Sequence, residues 1–156
     1  MSVVVADASP LIALQQIEAL HLAQALFTEL LIPPAVAREI APSVTRVPWL
    51  VERALTQPVA VQALRANLGP GESEAISLVL EIGADRLLVD ERPARRVAEA
   101  IGVSVIGTLG VLLAAKRKGL IAAVRPSIDA LLRRNFRMSP ALVEHCLMAA
   151  GEQADS

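Results

Sequence analysis

Aromatic residues are scarce in this sequence. Only 2% of its 156 residues are aromatic and none is tyrosine, whereas 54% are hydrophobic. Because Ala, Val, Leu and Ile must then build the interior, the composition favours packed helices and parallel strands. A chain of this length can bury a core of its own. We expect one domain at residues 1–150, followed by a disordered tail at residues 151–156.

The sequence also lacks cysteine pairs, a surplus of charge and long apolar runs. Cys146 is the only cysteine, which excludes a disulfide framework and zinc clusters of several thiolates. The net charge of −1 gives no global attraction to nucleic acid, so any phosphate-binding surface must be local. No basic and apolar leader is present, and no apolar run reaches the ~20 residues of a membrane span. We therefore expect a cytoplasmic protein without a membrane segment.

What the sequence does contain is strands that end in acids. Val3–Ala6 is a run of small and β-branched residues that predicts a buried strand, and Asp7 follows it directly. Residues 86–89 predict another strand, which is followed by Asp90 and Glu91. Ligands of open α/β sheets bind at the carboxyl ends of the strands. These acids are therefore candidate site residues.

Strands and helices alternate along the rest of the chain. Further strands are predicted at residues 30–32 and 103–106, and a short extra strand at residues 58–61 before a helix at residues 62–68. Such alternation is typical of an α/β protein with a parallel sheet. A parallel sheet brings the carboxyl ends of its strands to one edge, so acids that are distant in sequence can meet there.

Two predicted helices carry further acids. Glu39 lies on the helix after the second strand, where it either leans over the strand end or is an ordinary solvated carboxylate. Glu72 lies on the apolar face at the start of a later helix, whereas Glu74 is rotated by roughly 200° from it. Both acids would also complement the dipole at the helix N-terminus. The inward face favours Glu72 as the site residue.

Carboxylates that gather at one edge of a sheet repel one another, and a hard cation such as Mg²⁺ or Mn²⁺ stabilises them together. Such an ion suits the hydrolysis of a phosphodiester, because it activates water and offsets charge in the transition state. The candidate catalytic residues and metal ligands are Asp7, Glu39, Glu72 and Asp90.

Other polar residues near these acids are weaker candidates. Arg92, Arg95 and Arg96 share one helix, where they either bind substrate phosphates or form a solvated face. Thr108 either caps a helix or lines the site with its hydroxyl. The secondary site candidates are Ser9, Glu74, Glu91 and Thr108.

Several of these segments together resemble a PIN domain, and in particular the VapC-related ribonuclease toxins and their relatives. The first strand ends in Asp7, Ala8 and Ser9, and Glu39 lies in the helix after the second strand. Further similarity lies in residues 71–76, 87–91 and 136–140, so that the resemblance extends over most of the chain.

The resemblance implies a three-layer α/β/α sandwich with a central parallel sheet, and a Mg²⁺- or Mn²⁺-dependent endoribonuclease that cleaves single-stranded RNA. Asp7, Glu39 and Asp90 match acids of the family, and Glu72 occupies a place that the toxins commonly give to Asp. Eighteen residues separate Glu72 from Asp90, as in the common toxin pattern. A cognate antitoxin protein and a homodimer are also implied. The alternative is a PIN-like module that binds RNA or a protein without turnover.

Overall fold

Five parallel strands form the central sheet of the computed structural model, which describes residues 2–57 and 59–152, with the backbone alone at residues 59 and 60. Their order is β3-β2-β1-β4-β5. The chain adds strands on one side of β1 and then returns to its other side, so the direction of the connections changes between β1 and β4. The strands are β1 (Val3–Ala6), β2 (Glu29–Ile32), β3 (Leu50–Glu52), β4 (Arg86–Leu88) and β5 (Val105–Ile106).

Helices cover both faces of this sheet. They are α1 (Ala8–Gln16), α2 (His21–Leu26), α3 (Pro34–Ile40), α4 (Val59–Leu64), α5 (Pro70–Ile82), α6 (Arg92–Ala100), α7 (Thr108–Arg117), α8 (Arg125–Arg133) and α9 (Pro140–Ala149). One apolar core joins α1 to α3 and α7 to α9 with one face of the sheet, and a second core joins α5 and α6 with the other face. Within the described ranges, no helix is both long and apolar enough to cross a membrane.

Side-chain alternation along the strands produces these two cores. On β1, Val4 and Ala6 lie in the first core and Val5 lies in the second, because successive side chains of a strand point to opposite faces. The prediction of a three-layer α/β/α sandwich with a central parallel sheet is therefore confirmed. Beyond β1, the backbone N–H of Asp7 donates to the carbonyl of Leu88 at 2.9 Å. This register brings the carboxyl ends of β1 and β4 side by side.

The extra strand lies elsewhere than predicted. It is β3, in which Leu50 pairs with Leu30 of β2, whereas the chain is helical from Val59 in α4. The prediction of a strand at residues 58–61 is therefore wrong, and Pro58 itself lies outside the described residues. β3 is short and at the edge of the sheet, and only its first side chain is buried. Such a strand shows little apolar alternation, which explains why the sequence pattern missed it.

The end of the described chain is anchored. The Glu152 carboxylate accepts hydrogen bonds from Lys116 Nζ at 2.8 Å, from Val124 N at 2.8 Å and from Arg125 N at 3.1 Å. These bonds tie the chain end to α7 and to the N-terminus of α8. Glu152 is thus held by contacts with two helices, while residues 153–156 of the predicted tail lie outside the described residues.

Candidate active site

Asp7 lies between the two halves of the sheet, directly after β1 and before the first turn of α1. Its residue surface is only 3% exposed, and its side chain makes no capping hydrogen bond to α1. The pKa of Asp7 is raised to about 7: burial is the main cause, the negative charges of Glu72, Glu39 and Glu91 add to the shift, and the Ala8 amide opposes it. A buried carboxylate surrounded by like charges is stabilised by a proton or a cation.

The acids on one side of Asp7 are held by the N-terminus of α5. Gly71 N donates to Glu39 Oε1 at 3.1 Å, and Gly69 N donates to Glu72 Oε1 at 3.2 Å. A Cβ on Gly71 would lie 2.5 Å from Glu39 Oε1, so the missing side chain lets α3 and α5 approach here. We call Glu39, Gly69, Gly71 and Glu72 the α3–α5 wall. Each of its carboxylates accepts one backbone hydrogen bond at the end of a flexible side chain.

Electrostatics distinguishes the two acids at the start of α5. Burial raises the pKa of Glu72; the Gly69 amide opposes this shift, and the charges of Glu91 and Glu39 add to it. Glu74, by contrast, turns toward α3, where its Oε1 accepts a hydrogen bond from Ala35 N at 2.9 Å. This contact satisfies a free N–H in the first turn of α3. Glu74 therefore supports the packing of two helices, and Glu72 faces the acids near Asp7.

Asp90 lies on the other side of Asp7 and is held more firmly. Its Oδ1 accepts from Thr108 N at 2.8 Å and its Oδ2 accepts from Thr108 Oγ1 at 2.6 Å. A Cβ on Gly107 would lie 2.8 Å from Asp90 Oδ1 and 2.9 Å from Arg95 Nη1. We call Asp90, Arg95, Gly107 and Thr108 the β4–α7 wall. Burial raises the pKa of Asp90, whereas Thr108 and Arg95 lower it.

The three arginines of α6 are placed differently from one another. Arg95 is half-buried, and its Nη1 donates to the carbonyl of Val89 at 3.1 Å beside Asp90. Arg92 and Arg96 are exposed and line an open pocket next to Asp90. Arg95 therefore contributes to the position of Asp90, and Arg92 and Arg96 are the ones directed to solvent.

Glu91, predicted only as a secondary site residue, interacts electrostatically with several of the acids. It precedes α6 and is exposed. Its charge raises the pKa of Asp7, of Glu72 and of Asp90. The acids that act on Asp7 are thus Glu39, Glu72 and Glu91, whereas the carboxylate of Asp90 is directed at Thr108.

The donor set suits a hard divalent cation, although its side chains are not gathered into one ligand shell. Among residues 2–57 and 59–152, no three His, Cys, Asp or Glu side chains lie close enough together to hold one metal ion. Carboxylate oxygens are nevertheless the donors that Mg²⁺ and Mn²⁺ prefer. Each carboxylate also keeps acceptor capacity beside the hydrogen bonds it makes here.

Two glycines and two residues of the α8–α9 connection were not predicted to be part of the site. Gly71 and Gly107 each directly precede a site residue at a helix start, which is the available signal for them. Phe136 and Arg137 entered only as part of a family-like segment, yet both line the pockets on either side of Asp90. Ser9, one of the secondary candidates, lines the second of these pockets. Thr108, another one, is fully buried and bonded to Asp90.

The fold and the site define an α/β protein with an acidic centre where the strand order changes direction. The model of the family DUF3368, described as a PIN domain, matches residues 3–152. The chain belongs to the PIN domain family. PIN domains are generally nucleases, and they typically use divalent metals. The searches among curated proteins and among solved structures gave no match to this chain.

Proposed function

We propose that this PIN domain is a metal-dependent endoribonuclease that hydrolyses phosphodiester bonds of single-stranded RNA. The observation that carries the proposal is Asp7, a buried carboxylate at the carboxyl edge of the sheet with three further acids acting on it. A folded chain retains such an arrangement at a cost in stability unless a bound cation offsets the repulsion. Family membership supports nuclease activity in general.

In this proposal, Asp7, Glu39, Glu72 and Asp90 bind Mg²⁺ or Mn²⁺. When bound, the cation supplies the positive charge that activates water and offsets the negative charge of the phosphate in the transition state. Hydrogen bonds within the chain orient the proposed ligands: the Gly71 amide donates to Glu39, and the amide and hydroxyl of Thr108 donate to Asp90. Partners of this kind fix a ligand's direction and tune its charge.

Binding of the RNA backbone falls to the arginines of α6. Arg92 and Arg96 are exposed beside Asp90, and neither forms a salt bridge to an acid among the described residues. Guanidinium groups bind phosphate oxygens with two parallel hydrogen bonds. Because the net charge is −1, attraction to RNA must come from local clusters such as this one.

The cleavage experiment compares wild type with Asp7→Asn on a labelled single-stranded RNA of mixed sequence. We expect internal cleavage with Mg²⁺ or Mn²⁺, none with EDTA, and a loss of at least about 100-fold in Asp7→Asn, because a direct metal ligand is removed. Asp129→Asn, the same change at an exposed position on α8, should cleave like wild type. Metal-independent cleavage, or equal cleavage by the Asp7 variant, contradicts the proposal.

We further propose that this nuclease is the toxin of a toxin–antitoxin pair and acts in the cytoplasm as a homodimer. The exposed acids Glu39 and Glu91 offer a surface that a basic segment of an antitoxin would cover. Expression of wild type, but not of Asp7→Asn, should arrest growth, and co-expression of a small DNA-binding protein encoded directly upstream should relieve it. Sedimentation of the purified chain tests the dimer.

One observation favours a second candidate, a PIN-like module that binds RNA or a protein without turnover. Both oxygens of Asp90 already accept hydrogen bonds from Thr108, and the described acids do not converge on one point. Titration calorimetry with Mn²⁺ separates the two functions. Binding that is lost in Asp7→Asn and Asp90→Asn supports the nuclease, whereas RNA binding without Mn²⁺ binding supports the module.

A further inference from the structure

The connection between α8 and α9 carries an aromatic residue to the edge of the acidic site. α8 ends in a Schellman motif: Asn135 has a φ of 61°, its N–H donates to Leu132 O at 3.1 Å, and Phe136 N donates to Leu131 O at 3.0 Å. Asn is among the few residues that adopt this left-handed conformation readily. The motif reverses the chain, so that Phe136 packs half-buried against the core while Arg137 stays exposed.

Phe136 and Arg137 separate two open pockets at this edge. One pocket, of about 620 Å³, lies between α6 and α7 and includes Arg92 and Arg96. The other, of about 540 Å³, lies beside α1 and the acid Glu91. Phe136, Arg137 and Asp90 line both pockets. A chain that ran from one pocket to the other would therefore pass Phe136 and the acidic site together.

Phe136 is an aromatic residue that lies beside the acidic site together with basic side chains. Of the three aromatic residues in the chain, Phe27 is buried in the core and Trp49 packs against it far along the sheet edge at β3. Phe136 lines one pocket together with the exposed Arg92, Arg96 and Arg137. Arg137 makes no salt bridge among the described residues. A ring flanked by free guanidinium groups is the combination that binds single-stranded nucleic acid, through base stacking and phosphate contacts.

We propose that Phe136 and Arg137 form a nucleotide subsite for single-stranded RNA beside the acidic centre. A base stacks on the Phe136 ring, and an adjacent phosphate binds Arg137 together with the exposed arginines of α6. The inference rests on the proposed function for its substrate class, but it concerns binding and not cleavage. Stacking on a phenyl ring accepts any base, so the subsite places the strand without selecting a sequence.

The test measures binding of a fluorescein-labelled single-stranded RNA by fluorescence anisotropy in EDTA, over a range of salt concentrations. Phe136→Leu keeps an apolar side chain but removes the ring, and we expect about tenfold weaker binding with an unchanged salt dependence. Phe136→Tyr restores the affinity. Arg137→Gln should weaken binding and reduce the slope of log affinity against log salt by about 1, because one phosphate contact is lost.

Arg117→Gln is the matched control. It removes the same charge from an exposed position at the far end of α7, and we expect wild-type binding and slope. Absence of RNA binding by wild type, wild-type affinity of Phe136→Leu, or equal losses in the Leu and Tyr variants would overturn the subsite. Thermal unfolding of each variant checks that the fold is retained. Since no metal is present, these results are independent of whether the protein cleaves RNA.

Discussion

The two walls beside Asp7 hold their acids in different ways. In the α3–α5 wall, Glu39 and Glu72 each accept one backbone hydrogen bond, at 3.1 and 3.2 Å. In the β4–α7 wall, Asp90 accepts two bonds at 2.8 and 2.6 Å from the backbone and hydroxyl of one buried residue, Thr108. The long side chains of the first wall can turn toward Asp7, whereas the short side chain of the second is fixed.

This difference indicates a division of work within one acidic centre. Both walls use the N-terminus of a helix, α5 or α7, to stabilise carboxylates. In the proposed function, the β4–α7 wall would supply one ligand in a fixed direction, and the α3–α5 wall would supply acids that can turn toward the charge near Asp7. We therefore expect changes in the β4–α7 wall to affect both stability and activity, and changes in the α3–α5 wall to affect activity more than stability.

The largest expected effect concerns Asp7, whose carboxylate is repelled by the negative charges of Glu39 and Glu72 in the α3–α5 wall. The folded state retains its proton up to about pH 7, whereas the unfolded chain loses it near the ordinary pKa of 3.8. Between these values the folded state binds more protons, so Asp7 lowers the free energy of unfolding as pH rises from about 4 to about 7. Asp7→Asn should be more stable than metal-free wild type above pH 7, by up to roughly 4 kcal/mol.

Urea unfolding at several pH values without metal measures this difference. The two proteins should converge below about pH 4, where Asp7 is protonated in the unfolded chain as well as in the folded state. Saturating Mn²⁺ should reverse the order, because wild type then gains binding free energy that the variant lacks. A difference that does not change with pH would show that Asp7 is not titrating as its burial implies.

The next largest effect is expected for a substitution in the β4–α7 wall. Thr108→Val preserves shape but removes the hydroxyl that donates to Asp90 Oδ2. Loss of one donor to the half-buried carboxylate of Asp90 should lower the free energy of unfolding by about 1–3 kcal/mol and reduce cleavage about 10- to 100-fold. Thr108→Ser, which keeps the hydroxyl, should retain most of both. Equal behaviour of the Val and Ser variants would mean that the hydroxyl does not position Asp90.

A pair of glycine substitutions compares the walls directly. Gly107→Ala places a Cβ against both Asp90 and Arg95 in a packed site, and we expect the free energy of unfolding to fall by about 1–3 kcal/mol. Gly71→Ala displaces only the exposed end of Glu39, so its stability should stay within about 1 kcal/mol of wild type. Its Mn²⁺ affinity should still fall several-fold. Equal destabilisation by both changes, measured by thermal unfolding, would remove the distinction between the walls.

The smallest effect separates the two acids of α5. Glu74→Gln removes a charge from the hydrogen bond to Ala35 N and should cost about 0.3–1 kcal/mol without loss of cleavage. Glu72→Gln should have the opposite effects. It removes a carboxylate whose pKa is raised by burial and by Glu91 and Glu39, so stability should not fall, and it removes a proposed ligand, so cleavage should fall. Cleavage assays and urea unfolding of both variants distinguish these roles. Loss of cleavage in Glu74→Gln would move that acid into the site.

Three features could be predicted from the sequence alone: the α/β class, the position of Asp7 and Asp90 after buried strands, and the preference for Glu72 over Glu74. These are local features: apolar runs predict strands, and helical phase assigns a side chain to a face. The edge strand β3 escaped because one buried residue, Leu50, gives no periodic signal.

How the acids are held could not be predicted from the sequence, because it depends on tertiary contacts. Contacts between segments distant in sequence direct Asp90 to Thr108 and bring Glu39 close to Gly71. They also fix where Phe136 lies after the left-handed Asn135. Glu91 illustrates the reason. It is adjacent to Asp90 in the chain, yet it acts on Asp7 and Glu72, because the parallel sheet brings the ends of β1 and β4 together and burial strengthens the repulsion between their charges.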